Sequence, residues 1–141
     1  MMKSRAARLQ PAAEQAKERQ EKALQRLADQ QQKLVKAEQQ LTELQRYREE
    51  YALQGGDLTV TALLNRQRFV ERIDQAITQQ LTEVERQKRL LEQAGGQWRE
   101  AHARERALDS VIDHHREQER KSEERREQSE IDERMQYRRP R

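Results

Sequence analysis

Two seven-residue repeats of apolar side chains, one on each side of a glycine pair, restrict this chain to very few folds. Before the pair, Leu27, Leu34 and Leu41 recur at one seam position, a. Leu9, Ala16, Ala23, Ala37, Leu44 and Tyr51 recur at the other, d, with Gln30 interrupting. After the pair, Val70, Ile77, Val84, Leu91, Trp98 and Ile112 keep position a, while Ile73, Ala94, Ala101 and Leu108 keep position d, interrupted by Gln80 and Gln87. A sustained a/d pattern is the seam of a coiled coil, and a glutamine in it costs stability while helping to set register. The fold class expected is therefore all-α, a long antiparallel two-helix coiled-coil hairpin.

The reversal is expected at residues 54–58, Gln54-Gly55-Gly56-Asp57-Leu58. Gly55 and Gly56 tolerate the left-handed conformations that end a helix. Thr59 is a good N-cap for the second helix, and Leu58 and Leu63 have the spacing of a hydrophobic staple. Pro11 suits the first turn of a helix and disfavours helix at Gln10. The boundaries expected are thus helix 1 over about 11–53, helix 2 over about 60–115, and a charged extension over 116–141, all within one hairpin spanning 1–141. Folding at Asp57 pairs positions whose numbers add to about 114. Leu44 then meets Val70, Leu41 meets Ile73, Ala37 meets Ile77, Ala23 meets Leu91 and Ala16 meets Trp98, so that small residues tend to oppose large ones. Gly95-Gly96 falls inside the second repeat without changing its phase, which favours an uninterrupted, mildly bent helix.

Composition then narrows the function. With 39% charged and 33% hydrophobic residues, the chain lacks the apolar content of an ordinary globular core. The net charge is +3, with acids and bases interspersed, a pattern of salt-bridged helix surface rather than a basic patch for nucleic acid. No cysteine is present, so no disulfide or thiolate site exists. No apolar run approaches membrane-spanning length and the start has no apolar signal core; a cytosolic soluble protein without direct membrane insertion is expected. The three histidines, His102, His114 and His115, form no ligand set with nearby carboxylates, so no metal is expected. A two-helix hairpin offers no concave pocket in which carboxylates would be desolvated, and no phosphate loop or nucleophile motif is present. The chain reads as a non-enzyme without a cofactor.

Beyond about His115 the second arm outruns the first. His114–Arg141 carries almost no apolar residue except Ile131 and Met135, and it interleaves Glu123, Glu127 and Glu130 with Arg125, Arg126 and Arg134. An unpacked helix of this kind is marginal by itself, so helix is expected there only intermittently. Near the turn, Tyr47, Tyr51 and Phe69 cluster in a chain with few aromatics. They either cover the end of the seam or form a partly exposed apolar patch of the kind used to bind a protein.

Several segments resemble the flagellar export protein FliJ family. Leu44-Gln45-Arg46-Tyr47-Arg48-Glu49-Glu50-Tyr51 is similar to its L-x-x-Y-x-x-E-Y segment. The stretch from Leu64-Asn65-Arg66 through Phe69 to Ile77 resembles its N-Y-x-x-F segment, with Arg66 in place of the tyrosine. Gln97-Trp98-Arg99 resembles its mid-helix tryptophan segment, and the run Glu123 to Glu133 its charged C-terminal motif. The resemblance implies a non-enzymatic stalk of the flagellar type III export apparatus. Its partners would be a hexameric export ATPase, the cytoplasmic domain of an export-gate membrane protein and export chaperones, at the cytoplasmic face of the inner membrane. By motif match it implies that Gln40, Leu44, Tyr47, Tyr51, Phe69, Ile73, Ala76 and Gln80 face the gate. It further implies that Glu123, Arg125, Arg126, Glu127, Gln128, Asp132 and Glu133 meet the ATPase. The corresponding stalk of a virulence-type III secretion system shares the architecture, although the turn-proximal motifs favour the flagellar version; a coiled-coil adaptor unrelated to secretion is the other alternative.

Overall fold

A computed structural model describes residues 4–53, Gly56 and residues 59–138. Two helices make up the described chain, α1 (Arg5–Leu53) and α2 (Val60–Arg138). They pack antiparallel, and among the described residues there is no strand. Of the expected turn only Gly56 is described; Gln54, Gly55, Asp57 and Leu58, and with Leu58 the hydrophobic staple, lie outside the described residues.

The helix starts follow from their caps. Thr59 Oγ1 accepts a hydrogen bond from the Ala62 N–H at 3.2 Å, so the expected cap is formed and α2 begins at Val60. At the other start, Ser4 Oγ accepts from the Ala7 N–H at 3.1 Å, and α1 begins at Arg5 rather than near Pro11. Pro11 sits inside the helix. It deprives the Ala7 carbonyl of its usual donor, at a point where Ala7 and Pro11 are both exposed. What holds the first turns in helix is the Ser4 cap together with packing of the residues that flank the proline.

The contacts divide the chain into two units. The first comprises residues up to Lys22 and from Arg99 onward. Its core is Ala6, Ala13 and Ile112, with half-buried Leu9 and Leu108 packed against them. Small α1 residues here admit a large one from α2, which keeps the helices close. Past Arg116 the side chains of α2 become mostly exposed, yet the helix continues to Arg138. This corrects the expectation of intermittent helix. The reason is local: Arg120 pairs with both Glu117 and Glu124, and the Gln128 amide donates to Asp132 at 3.1 Å. Pairs at these spacings each add about 0.2–0.5 kcal/mol to an isolated helix. The Arg120 hydrogen bond also holds the Glu117 carboxyl below its ordinary pKa.

The second unit comprises Ala23–Trp98. Ala23, Ala37, Ile73 and Val84 are buried, and Leu27, Leu34, Leu41, Leu44, Val70, Ile77 and Leu91 are half-buried, so the a/d seams face each other. α2 passes through Gly95 and Gly96 as helix, with Gly95 buried. The glutamines that interrupt the seam are bonded. Gln30 Nε2 donates to Gln87 Oε1 and, at 3.4 Å, to the Gln87 carbonyl. Gln80 Nε2 donates to the Ala37 carbonyl at 2.9 Å and to Gln40 Oε1 at 3.2 Å. The numbers of these hydrogen-bonded pairs add to 117 or 120, a little above the 114 expected for folding at Asp57.

Candidate protein-binding face

The candidate face is built where α1 ends and α2 begins, within the second unit. Tyr51 and Phe69 pack with ring centroids 4.5 Å apart and planes tilted by 36°, within the separation range of favourable aromatic pairs. They come from opposite helices, and neither ring is fully enclosed: Tyr51 is half-buried and Phe69 is 41% exposed. Tyr47, one turn before Tyr51, is 56% exposed. The Gln80–Gln40 hydrogen bond links two more of the expected positions across the same pair of helices.

The expected gate positions therefore divide by exposure. Gln40, Tyr47 and Phe69 are exposed; Leu44, Tyr51, Ala76 and Gln80 are half-buried; Ile73 is buried at 7% exposure. Ile73 thus lies in the seam beneath the face, where it packs the helices that carry the others. The alternatives left open for the aromatics resolve into a mixture: Tyr51 and Phe69 cover one another, while Tyr47 stands clear.

Two neighbouring features were not read from the sequence. The Arg66 guanidinium donates to the carbonyl of Tyr51. That carbonyl belongs to the last turn of α1, whose oxygens lack intrahelical donors and carry the negative end of the helix dipole. Arg66 therefore caps α1 from α2, and the signal for this was its occurrence in place of a tyrosine. On the other edge, Arg48 pairs with Asp74. Both are about half exposed, so this pair adds little to stability. Val60, Leu63 and Leu64, on the first turns of α2, are also exposed, at 75%, 50% and 50%.

The second set of expected positions, Glu123, Arg125, Arg126, Glu127, Gln128, Asp132 and Glu133, lies on the exposed part of α2. His114 and His115 have ring centroids 6.1 Å apart, and among the described residues no group of three or more His, Cys, Asp or Glu could hold a metal ion. No described helix is long and apolar enough to cross a membrane.

Two long helices packed along apolar seams define a coiled-coil protein. The family model described as Flagellar FliJ protein matches residues 4–141, and the chain belongs to that family. It is accordingly a component of the flagellar protein export apparatus. No curated protein matches the chain.

Proposed function

We propose that this chain is the non-enzymatic stalk that links the export ATPase hexamer to the cytoplasmic domain of the export-gate membrane protein and escorts export chaperones. It acts at the cytoplasmic face of the inner membrane and hydrolyses nothing itself. The gate is bound by the face carrying Gln40, Leu44, Tyr47, Tyr51, Phe69, Ala76 and Gln80, with Ile73 supporting it from within. The ATPase is bound by the charged run Glu123, Arg125, Arg126, Glu127, Gln128, Asp132 and Glu133.

The observation that carries this reading is the Tyr51–Phe69 pair beside an exposed Tyr47. Aromatic rings are costly to leave in water, and burying each against a partner is worth about 1–3 kcal/mol. Rigid aromatics on a helical scaffold make efficient anchors for a protein interface. The test replaces Tyr47, Tyr51 and Phe69 together by alanine. Helicity by circular dichroism and capture of the export ATPase are expected to persist, while capture of the gate domain and motility are lost. Loss of helicity would make the rings structural, and retained gate capture would move the site elsewhere.

A further inference from the structure

Acids and bases are interspersed along the chain, but in the first unit one side of the helix pair is enriched in cations. A groove of about 400 Å³ runs between α1 and α2, floored by Ala12, Ala16, Ala107, Leu108 and Val111. Arg19 and Arg104 stand on its two walls. On α1, Arg5, Arg8, Arg19 and Lys22 share the alternating three- and four-residue spacing of Ala12 and Gln15, so they form one stripe along the groove. All four cations are exposed. Glu14, Glu18 and Glu21 lie off that stripe, as does Lys17, and Asp109 and Asp113 fall on the opposite side of α2 from Arg104 and Val111; Glu100 lies on the Arg104 side.

From this sorting we infer that the groove is a docking site for an acidic amphipathic helix of a partner protein, laid along α1 and α2 as a third strand. The proposal rests on neither the aromatic face nor the charged tail. Three alanines in the floor let a helix approach to the 8–10 Å axial separation of packed helices. Leu108 is half-buried and Val111 is 43% exposed, so an apolar stripe on the incoming helix gains contact there. Carboxylates on its flanks would meet Arg5, Arg8, Arg19, Lys22 and Arg104. A membrane surface is a poorer match, because interfacial binding uses large apolar groups that protrude, whereas this floor is recessed and small. Nucleic acid is poorer still, since it would leave the apolar floor unused and finds no aromatic platform beside it.

The test uses the full chain and a fluorescent synthetic helix of about 18 residues, five turns, with a Leu/Ala stripe flanked by glutamates. Anisotropy should show binding that weakens with added salt and that a scrambled peptide of the same composition does not reproduce. R19E/R104E turns two attractions into repulsions and should weaken binding about tenfold or more. The same peptide with lysine flanks should then prefer the variant to the original chain. Should R19E/R104E lose helicity, R19Q/R104Q replaces it, with a smaller loss expected. Equal binding of the scrambled peptide, or an unchanged affinity in a folded variant, overturns the inference. So does binding of acidic phospholipid vesicles or duplex RNA in the absence of peptide binding.

Discussion

The seam glutamines Gln30 and Gln87 make a quantitative prediction. Gln87 is 7% exposed, and its side-chain oxygen accepts the Gln30 amide while its own amide donates to Glu83 at 2.8 Å. Replacing Gln87 alone by leucine adds apolar burial worth about 1.5–3 kcal/mol. It also removes the side-chain acceptor of the half-buried Gln30 amide, which keeps only its 3.4 Å bond to the Gln87 carbonyl, and one donor to Glu83, at a cost of about 1–3 kcal/mol. Q87L should therefore change stability by no more than about 1 kcal/mol. Q30L acts likewise, with a smaller gain because Gln30 is only half-buried. The double variant leaves neither glutamine facing a lost partner, although Glu83 still loses one donor, and it adds two seam leucines, so it should be stabilised by about 2–4 kcal/mol. The coupling between the two sites is then about 1–3 kcal/mol, measurable as a double-mutant cycle by urea unfolding followed by circular dichroism. The stabilised variant should also self-associate in sedimentation, because a polar seam layer disfavours alternative registers and strand numbers. Additive single and double effects would refute the reasoning, since they would mean that the two glutamines do not satisfy each other.

Ile112, at 3% exposure, is the large residue of the first unit's core; I112A should destabilise that unit by about 2–5 kcal/mol, seen as loss of hydrogen-exchange protection around Ala6 and Ala13. Hydrogen bonds from Arg86 and then Gln87 hold the Glu83 carboxyl down at about 2 from an ordinary 4.5. A carboxylate with a depressed folded-state pKa contributes stability that is present above the unfolded value and lost as pH falls toward the folded one. Acid unfolding between about pH 4.5 and 2 should accordingly be shallower in E83Q than in the original chain. Truncation after His115 removes a mostly exposed helix and should leave the thermal unfolding of the remaining chain nearly unchanged while ATPase capture is lost; a large fall in melting temperature would assign the segment a structural role.

Much of the fold was written in the order of the residues. A repeat of seven across Leu27, Leu34 and Leu41, and again from Val70 to Ile112, specifies helix and one buried stripe without reference to anything distant. Thr59 as a cap is equally local, since the hydroxyl and the N–H it serves lie three residues apart. The helix start at Arg5 was legible in principle through Ser4, but the proline rule pointed to Pro11; packing of Ala6 and Ala13 on Ile112 outweighs one missing hydrogen bond. The aromatic cluster was visible as a clustering only. Which ring is stacked, which stands in water and which neighbour lies underneath depends on two helices at once.

Chain order alone thus determined helix and seam, because each depends on residues within a turn or two of one another. The tertiary structure alone decided which side chains touch. Heptads repeat, so apolar contacts are nearly as good after a small slide. The polar groups discriminate: Gln30 finds Gln87, Gln80 finds the Ala37 carbonyl and Arg66 finds the carbonyl of Tyr51. A hydrogen bond has a narrow range of length and angle, whereas apolar packing is permissive.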